Sequence, residues 1–400
     1  MKPSDIRKVK LACYTSNMSM AAAANLSPLL FLTFRSIYGI SYSLLGLLVL
    51  VNFMTQLGID LVFSFFSHRF NIQKTVRLMP MLTILGLVLY GVLPVLFPSY
   101  AYLGLLLGTF VFSASSGLAE VLVSPVVAAL PLPEPDREVS RLHSVYAWGV
   151  VLVITLSTLF LLAFGRENWW VLALLWTALP LISCILFLST PLPEMTTPKH
   201  TGDAFSLLKN KALWVSVFAI FCGGSAECTM AQWSSGYLEQ ALGLSKVWGD
   251  IFGVALFGLA MGIGRTLYTK YGKTPERLLF WGTVGSAICY LLAAISPIPI
   301  VGLIACVLNG FCVAMLWPGN LIIASERFPQ GGVFIFALMA AGGDMGASLG
   351  PQLVGVVTDS VMALTHLEPF AMKCGMLLGM LFPLAGILLQ GKILRTIDKE

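Results

Sequence analysis

Residues 212–238 read ALWVSVFAIFCGGSAECTMAQWSSGYL and contain one charged side chain, Glu227. A helix needs about 20 apolar residues to cross the hydrocarbon core of a bilayer, and this run is long enough. A charge at that depth costs about 2.5–3.5 kcal/mol on insertion scales, so Glu227 requires a specific reason to be there. The stretch predicts a membrane-spanning helix with a structural or functional carboxyl group near its centre.

Segments of this kind recur along the whole chain. It has 400 residues, of which 57% are hydrophobic and 11% charged, whereas a soluble protein carries about 25% charged residues. The apolar segments and their short polar breaks predict an all-α integral membrane protein with twelve transmembrane helices. The predicted helices span 9–33, 41–67, 77–97, 99–129, 139–165, 168–188, 212–238, 246–268, 275–296, 298–325, 332–360 and 366–391.

The distribution of positive charge predicts the orientation. Cytoplasmic loops carry the excess of Lys and Arg in membrane proteins. We predict a protein of the cell (inner) membrane with both termini in the cytoplasm. In this orientation, the cytoplasmic side holds every Lys and Arg of the chain except Arg35, Arg166, Lys246 and Lys373. The net charge of +5 reflects this bias, so it does not indicate a nucleic-acid partner.

The eight cysteines lie within or beside apolar segments, without a CxxC motif or a His/Cys cluster. Small buried residues explain them better than a metal site or disulfides do. We therefore expect no metal and no organic cofactor.

The longest polar break divides the chain into two halves. It reads STPLPEMTTPKHTGDAFSLLKNK at 189–211 and separates a six-helix bundle at 1–190 from another at 212–400, with a cytoplasmic linker at 191–211. The halves echo each other, since GLAEVLVSP at 117–125 and GFCVAMLWP at 310–318 share Gly and Pro eight positions apart. Transporters are commonly built from such repeats, with the site near the bilayer midplane at the repeat interface.

The chain resembles the major facilitator superfamily, and within it the bacterial sugar-permease branch that includes fucose–proton symporters. The resemblance implies two pseudo-symmetric six-helix bundles and transport by alternating access. One departure is the loop between helices 2 and 3, which reads His-Arg-Phe-Asn at 68–71 where the superfamily usually has Asp-Arg-x-Gly. The resemblance is carried by NFMTQLGIDL (52–61), SSGLAEVLVSP (115–125), RLHSVYAWG (141–149), GSAECTMAQW (224–233) and GGDMGASLGP (342–351).

Helix 4 carries a stripe of small and polar residues at helical spacing: Ser113, Ser116, Gly117, Glu120 and Ser124. Such a stripe is costly against lipid, so we expect it to face protein or a water-filled cavity. The resemblance implies that a helix-4 carboxylate at the position of Glu120 takes part in proton coupling or sugar binding. The alternative is a neutral, hydrogen-bonded packing residue.

Helix 2 has polar residues at steps of four: Asn52, Gln56 and Asp60. The amides of Asn52 and Gln56 offer a donor and an acceptor each, which suits sugar hydroxyls and equally suits hydrogen bonds between helices. Asp60 lies closer to the inner end, where we expect it to form an inner-gate ion pair with Arg265 of helix 8. His143 opens helix 5 and either relays a proton or simply makes a hydrogen bond.

Glu227 and Gln232 are five positions apart, or about 140° around a regular helix. The glycines at 223, 224 and 236 would let the helix break where it lines a cavity, and Glu227 would then serve ion coupling or substrate binding. Trp233 offers a flat surface for a sugar ring, or else packs in the bundle.

In the last third of the chain, Gly342, Gly346 and Gly350 predict close helix packing. Asp344 would then lie on another face, and Asn309 of helix 10 is a further candidate for the cavity.

The inventory of buried charge limits the substrate. Four acids (Asp60, Glu120, Glu227, Asp344) and one basic residue (Arg265) are candidates for membrane depth. A carrier of phosphate esters or dicarboxylates would need basic groups in its cavity. We therefore expect a neutral or cationic small molecule, with the acids serving proton coupling or sodium coupling.

Proton-coupled uptake of a sugar or another polyhydroxylated solute by a monomer is the leading hypothesis. Proton-driven efflux of cationic amphipathic compounds is the alternative, because acids and aromatic residues would serve that too. An enzyme or sensor is disfavoured, since the sequence has no nucleophile–base constellation and no phosphate-binding loop.

Overall fold

The structure, a computed structural model, describes residues 1–66, 70–133, 135–193, 208–271, 275–328 and 332–397. Across these ranges the backbone is helical with short turns, and no strand occurs within them. His68 and Arg69 of the loop that departs from the superfamily pattern fall outside these ranges. The all-α prediction is confirmed.

The first half of the chain supplies the first six predicted spans. Short 3₁₀ turns at Pro98–Tyr100 and Arg166–Asn168 precede two of the helices. The helices are α1 (Pro3–Leu29), α2 (Phe31–Tyr38), α3 (Tyr42–Phe66), α4 (Ile72–Leu96), α5 (Ala101–Ala128), α6 (Pro135–Phe164), α7 (Trp169–Leu175) and α8 (Ala178–Ser189).

The second half supplies the remaining six spans. The eighth of them begins with a π-helical segment at Gly249–Ala255. The helices are α9 (Lys211–Gln240), α10 (Lys246–Trp248), α11 (Leu256–Tyr271), α12 (Pro275–Ile295), α13 (Pro299–Val313), α14 (Leu316–Arg327), α15 (Gly332–Thr365), α16 (Glu368–Gly379) and α17 (Leu381–Ile397).

Ten runs of helix in the described part of the chain are long and apolar enough to cross a membrane. The pair α1 and α2, bent by 47°, makes an eleventh span, and the shorter apolar run Trp148–Phe164 lies in the fifth. Each of the twelve predicted spans therefore corresponds to a helix, or to a pair of helices, in the structure.

Several spans that the sequence predicts as continuous are broken, and prolines explain where. Pro180, Pro318 and Pro383 are each the third residue of the second segment of a span. A proline has no N–H for the carbonyl four residues earlier, and its ring clashes with that carbonyl, whereas the first turn of a helix accepts it. The sixth, tenth and twelfth spans are therefore each split just before their proline.

The chain divides into two compact units. The first comprises Met1–Gly39 and Thr55–His200, and the second comprises Ile40–Met54 and Thr201–Glu400. The division after residue 200 lies inside the predicted linker. The sequence did not predict that the first part of α3 groups with the second unit.

The core of the second unit contains a close contact between α9 and α15. A Cβ atom on Gly342 would lie 3.0 Å from the carbonyl oxygen of Val217, and one on Gly346 would overlap the carbonyl oxygen of Phe221. The hydroxyl of Ser225 donates to the Gly346 carbonyl at 3.0 Å. The prediction that these glycines serve helix packing is confirmed.

In the first unit, Glu138 near the start of α6 connects α6 to α1 through an ion pair and a hydrogen bond. Its carboxylate lies 2.5 Å from the Lys10 ammonium and 2.6 Å from the Arg141 guanidinium, and it accepts a hydrogen bond from Tyr14 at 3.1 Å. Glu138 lies ahead of the apolar run of its helix. The bonded Lys10 ammonium is the largest cause that holds the pKa of the Glu138 carboxyl below its usual value.

We expect Glu138→Gln to destabilise the protein by about 1 kcal/mol, because charge-assisted bonds are lost and Arg141 is half exposed. A carboxyl with a lowered pKa stabilises the fold above its unfolded-state pKa, and that stabilisation disappears as the pH falls through the lowered value. The difference in thermal unfolding between wild type and variant should therefore be present at pH 7 and shrink on acidification. The exposed Glu326→Gln should match wild type at both pH values, and a difference independent of pH would contradict this account.

Candidate functional site

Two carboxyl groups meet between α3 and α5 in the first unit. Asp60 of α3 and Glu120 of α5 are close enough to interact electrostatically. The helices approach closely one turn away, where a Cβ on Gly117 would lie 3.0 Å from the Cα of Gln56. Asp60 is buried, and its Oδ1 accepts no hydrogen bond from any described group.

Glu120 is exposed, although it lies inside a long apolar helix. Its helix neighbours Ser113, Ser116 and Gly117 are buried. Because the Glu120 carboxyl interacts with Asp60 across the α3–α5 contact, it is oriented toward a neighbouring helix of its own unit. A carboxylate avoids lipid, so we expect the exposed Glu120 to face solvent.

The other candidates of the first half are distributed differently. Gln56 is buried in the first unit, whereas Asn52 is buried in the part of α3 that groups with the second unit. The side chain of His143 lies outside the described part of the structure, so its relay role stays a prediction.

In the second unit, Glu227 of α9 has a basic partner. The Nη2 atom of Arg265 on α11 lies 3.5 Å from the Glu227 Oε1, and the Arg265 Nε donates to the Ala314 carbonyl at 3.0 Å. That carbonyl is available because Pro318, four residues later, has no N–H to give it. The break between α13 and α14 therefore anchors the arginine that faces Glu227.

Other polar groups surround this ion pair. Cys228 lies within electrostatic range of Glu227, Asp344 and Arg265, so α9, α11 and α15 each contribute an ionisable group to one region. The Glu227 Oε2 is buried and has no hydrogen-bond partner among the described residues. Asp344 is buried as well. The second unit thus places Glu227 beside Arg265 and the buried Asp344 in the same region.

Helix α9 runs unbroken from Lys211 to Gln240, so the predicted break at its glycines is wrong. Gly223 and Gly224 instead let other helices approach: a Cβ on Gly224 would lie 2.5 Å from the Gly343 carbonyl oxygen. Gln232 is buried away from Glu227 on the regular helix, and its Oε1 has no partner in the described structure.

Two further candidates are engaged in packing. Trp233 is 1% exposed, and its indole N–H donates to the Pro351 carbonyl at 2.9 Å. Asn309 is fully buried, accepts from the Ser286 hydroxyl at 2.7 Å and donates to the Ala226 carbonyl at 3.4 Å. In this conformation the structure favours the packing interpretation for both.

The predicted inner-gate pair joins residues of different units, since Asp60 belongs to the first and Arg265 to the second. Each interacts with a group inside its own unit, Asp60 with Glu120 and Arg265 with Glu227. The inner-gate pair stays a prediction.

The sequence analysis missed the Glu227–Arg265 pair. The sequence signal that could have pointed to it was Pro318, because a proline leaves the carbonyl four residues earlier, that of Ala314, available to bind Arg265. It also missed Asp250, a fully buried residue of the π-helical segment that accepts a hydrogen bond from Ser235. Among the described residues, no group of three or more His, Cys, Asp or Glu side chains could hold a metal ion.

Known proteins of the same fold are transporters. A bacterial homolog of the human lysosomal transporter Spinster, inward-facing and unoccupied, is 14% identical, with 100% of this chain and 98% of that chain covered and a TM-score of 0.78. A D-xylose–proton symporter is 16% identical, with 94% and 96% covered and a TM-score of 0.74. The E. coli fucose:proton symporter FucP is 15% identical, with 97% and 99% covered and a TM-score of 0.62. No curated protein matches the chain by sequence.

At these identities the structures show the fold alone, but the family is shown by the sequence itself. The family model described as Major Facilitator Superfamily matches residues 12–351. The family and its structural neighbours are transporters and not enzymes. With its twelve apolar helical spans, the chain is a multi-pass membrane protein that belongs to the Major Facilitator Superfamily.

Proposed function

We propose that the protein couples the uptake of a sugar, or another neutral polyhydroxylated solute, to proton entry by alternating access. The observation that carries the proposal is that the guanidinium of Arg265 already has two partners, the Glu227 carboxylate and the Ala314 carbonyl. An arginine whose charge is already paired is a weaker site for an anionic substrate, so a neutral or cationic substrate fits better.

The acids supply the coupling in this proposal. Glu120 is exposed beside Asp60, which suits exchange of a proton with solvent, and Glu227 shares its region with Asp344. We propose H⁺ as the coupling ion, with Na⁺ as the alternative, and no organic cofactor. The protein would act as a monomer in the cell (inner) membrane, with both termini cytoplasmic, as the excess of positive charge predicts.

Efflux of cationic amphipathic compounds is the second candidate. Two buried carboxyl oxygens, Asp60 Oδ1 and Glu227 Oε2, have no hydrogen-bond partner among the described residues. A buried acceptor of this kind favours a ligand that brings a donor, and an ammonium group is one.

Thermal unfolding of the purified protein against sugars, nucleosides, amines and lipophilic cations, at several pH values with and without Na⁺, tests the proposal. A ligand at 100 times its Kd should stabilise the native state by about 2.7 kcal/mol. We expect a sugar to stabilise the wild type, and Glu120→Gln or Glu227→Gln to abolish the response or its pH dependence. Glu326→Gln is the matched control. If only lipophilic cations stabilise the protein, the result would contradict sugar uptake and support efflux of cationic compounds.

A further inference from the structure

Two cysteines meet between α12 and α13, inside the second unit. The thiol of Cys289 on α12 donates a hydrogen bond to the sulfur of Cys312 on α13, and both are free thiols. Gly285 lies one turn before Cys289 on the same face of α12, and a Cβ atom on it would lie 2.7 Å from the Cys312 Sγ. Two sulfur atoms of different helices are therefore already in contact.

The close approach of the two helices fixes this pair. A Cβ on Gly282 would lie 2.5 Å from the Cys312 carbonyl oxygen, so the backbone of α13 touches α12 there. Cys289 is 5% exposed, and Cys312 lies in the last turn of α13. Because the backbones touch, the sulfurs can separate only through rotation of the two cysteine side chains.

A shared central atom fits the pair better than a disulfide does. A disulfide requires the two sulfurs to lie about 2.05 Å apart, which is much closer than sulfurs that share a hydrogen bond. Two bonds of about 2.3 Å to one central atom let the sulfurs lie up to roughly twice as far apart as in a disulfide. The pair can therefore bind such an atom without a shift of either helix.

The number of ligands limits which atom this can be. In the part of the chain that the structure describes, no three His, Cys, Asp or Glu side chains are grouped so that they could hold a metal ion. Zinc prefers four ligands, so a site of two thiols does not suit it. Thiolates are soft ligands, and they select soft acceptors that two sulfurs can satisfy.

The surroundings of the pair limit the charge of the occupant. Ile288, Leu308 and Phe311 are exposed apolar side chains of the same two membrane spans, a setting that suits lipid. Cys312 is half-buried beside them, so a lipophilic molecule can reach it from the bilayer. A complex with a net charge would be costly there. Since two thiolates carry two negative charges, the acceptor has to supply two positive ones, as Hg²⁺ does, or As(III) with one organic substituent.

We propose that Cys289 and Cys312 form a dithiol site for a soft, thiophilic acceptor of this class, which enters from the lipid and joins α12 to α13. With a monosubstituted arsenic(III) oxide, two As–S bonds form, the As=O bond breaks, and the two thiol protons leave with the oxygen as water. Nothing is oxidised or reduced in this step. The inference departs from the sequence analysis, which treated all eight cysteines as packing residues.

Phenylarsine oxide, a lipid-soluble compound of this kind, tests the site on the reduced full-length protein in lipid nanodiscs. Cys289→Ser and Cys312→Ser each remove one sulfur. Cys374→Ser is the matched control, because Cys374 of α16 is a half-buried thiol of the same unit, as Cys312 is. The intact mass of each protein, titrated with the arsenical, gives the number of adducts and their affinity.

We expect wild type and Cys374→Ser to bind the arsenical equally tightly. Each single variant of the pair should bind it at least about a hundredfold more weakly, because the second sulfur acts at a high effective concentration. Equally tight binding by Cys289→Ser or Cys312→Ser would overturn the proposal.

A second measurement needs only the wild type, so it decides even if a serine variant does not fold. The arsenical should protect Cys289 and Cys312 together from alkylation by a maleimide after the protein is unfolded, and it should leave Cys374 reactive. Protection of neither cysteine, or of only one of the two, would overturn the proposal. Because no transported solute enters either experiment, a failure here leaves the substrate and coupling assignments untouched.

Discussion

Gly346→Ala is expected to be among the most destabilising single-methyl substitutions in this protein. The added Cβ would overlap the carbonyl oxygen of Phe221 on α9, and the Ser225 hydroxyl would lie 2.9 Å from it. A backbone carbonyl inside a helix cannot rotate away, so α9 and α15 would have to separate. Overpacking of this kind costs typically about 1–3 kcal/mol and occasionally more, and we expect the upper end of that range.

Gly262→Ala is the matched control, because Gly262 also lies within a helix, α11, and has no atom within 4 Å of its Cβ position. Replacing glycine by alanine inside a helix stabilises it by about 0.5–1 kcal/mol when space is available. The measurement is the apparent Tm of the two variants in one detergent, together with the fraction that elutes as a single species. Equal Tm values for the two variants would show that α15 does not pack on α9 as closely as described.

The spacing of small residues along a helix is a feature that the sequence predicts well. Gly342, Gly346 and Gly350 at steps of four predicted a packing seam, because small residues at that spacing share a helix face. The partner helix was not predicted. That α9 supplies the Phe221 carbonyl depends on contacts across more than a hundred positions of sequence, and periodicity within one helix carries no information about them.

The breaks in the spans had a local signal that the sequence analysis did not use. Pro180, Pro318 and Pro383 each begin a new segment within a predicted span. The opposite mistake occurred in α9, where glycines suggested a break and the helix is continuous. Proline inside a helix removes one hydrogen bond, and α4 and α15 nevertheless continue through Pro80, Pro94 and Pro351. Glycine only permits a break. For both residues, neighbouring helices decide whether a break forms.

The candidate site shows the same limit. Glu227, Glu120, Asp60 and Asp344 were identified because charge in an apolar segment is conspicuous. The partner of Glu227 was not identified, because Arg265 lies 38 positions away in the sequence. A single sequence reveals which groups need an explanation but not which groups supply it.

Arg265→Leu is expected to have the second large effect, because it leaves the Glu227 carboxylate without its basic partner. Removing one member of a buried ion pair costs about 3–5 kcal/mol. The Arg265 side chain is 39% exposed, however, and that of Glu227 is 14% exposed, so water compensates in part. We therefore expect a loss of about 2 kcal/mol in the free energy of unfolding.

Glu227→Gln should cost less than Arg265→Leu, since Arg265 keeps its bond to the Ala314 carbonyl and its contact with water. In the double variant the carboxylate that needed Arg265 is gone, so its cost should be smaller than the sum of the two single costs by about 1 kcal/mol. Denaturant or thermal unfolding of all four proteins at pH 7 measures this coupling. Additive costs would mean that the 3.5 Å approach does not stabilise the fold.

The same four proteins separate a structural pair from a functional one. If Arg265 only stabilises the fold, Arg265→Leu lowers the Tm while the ligand-induced shift keeps its pH dependence. If Arg265 also holds Glu227 ready to exchange a proton, the variant changes the pH at which ligand stabilises the protein, and Glu227→Gln removes that dependence. The double variant should then behave like Glu227→Gln, because Arg265 acts through the carboxyl group that is no longer there.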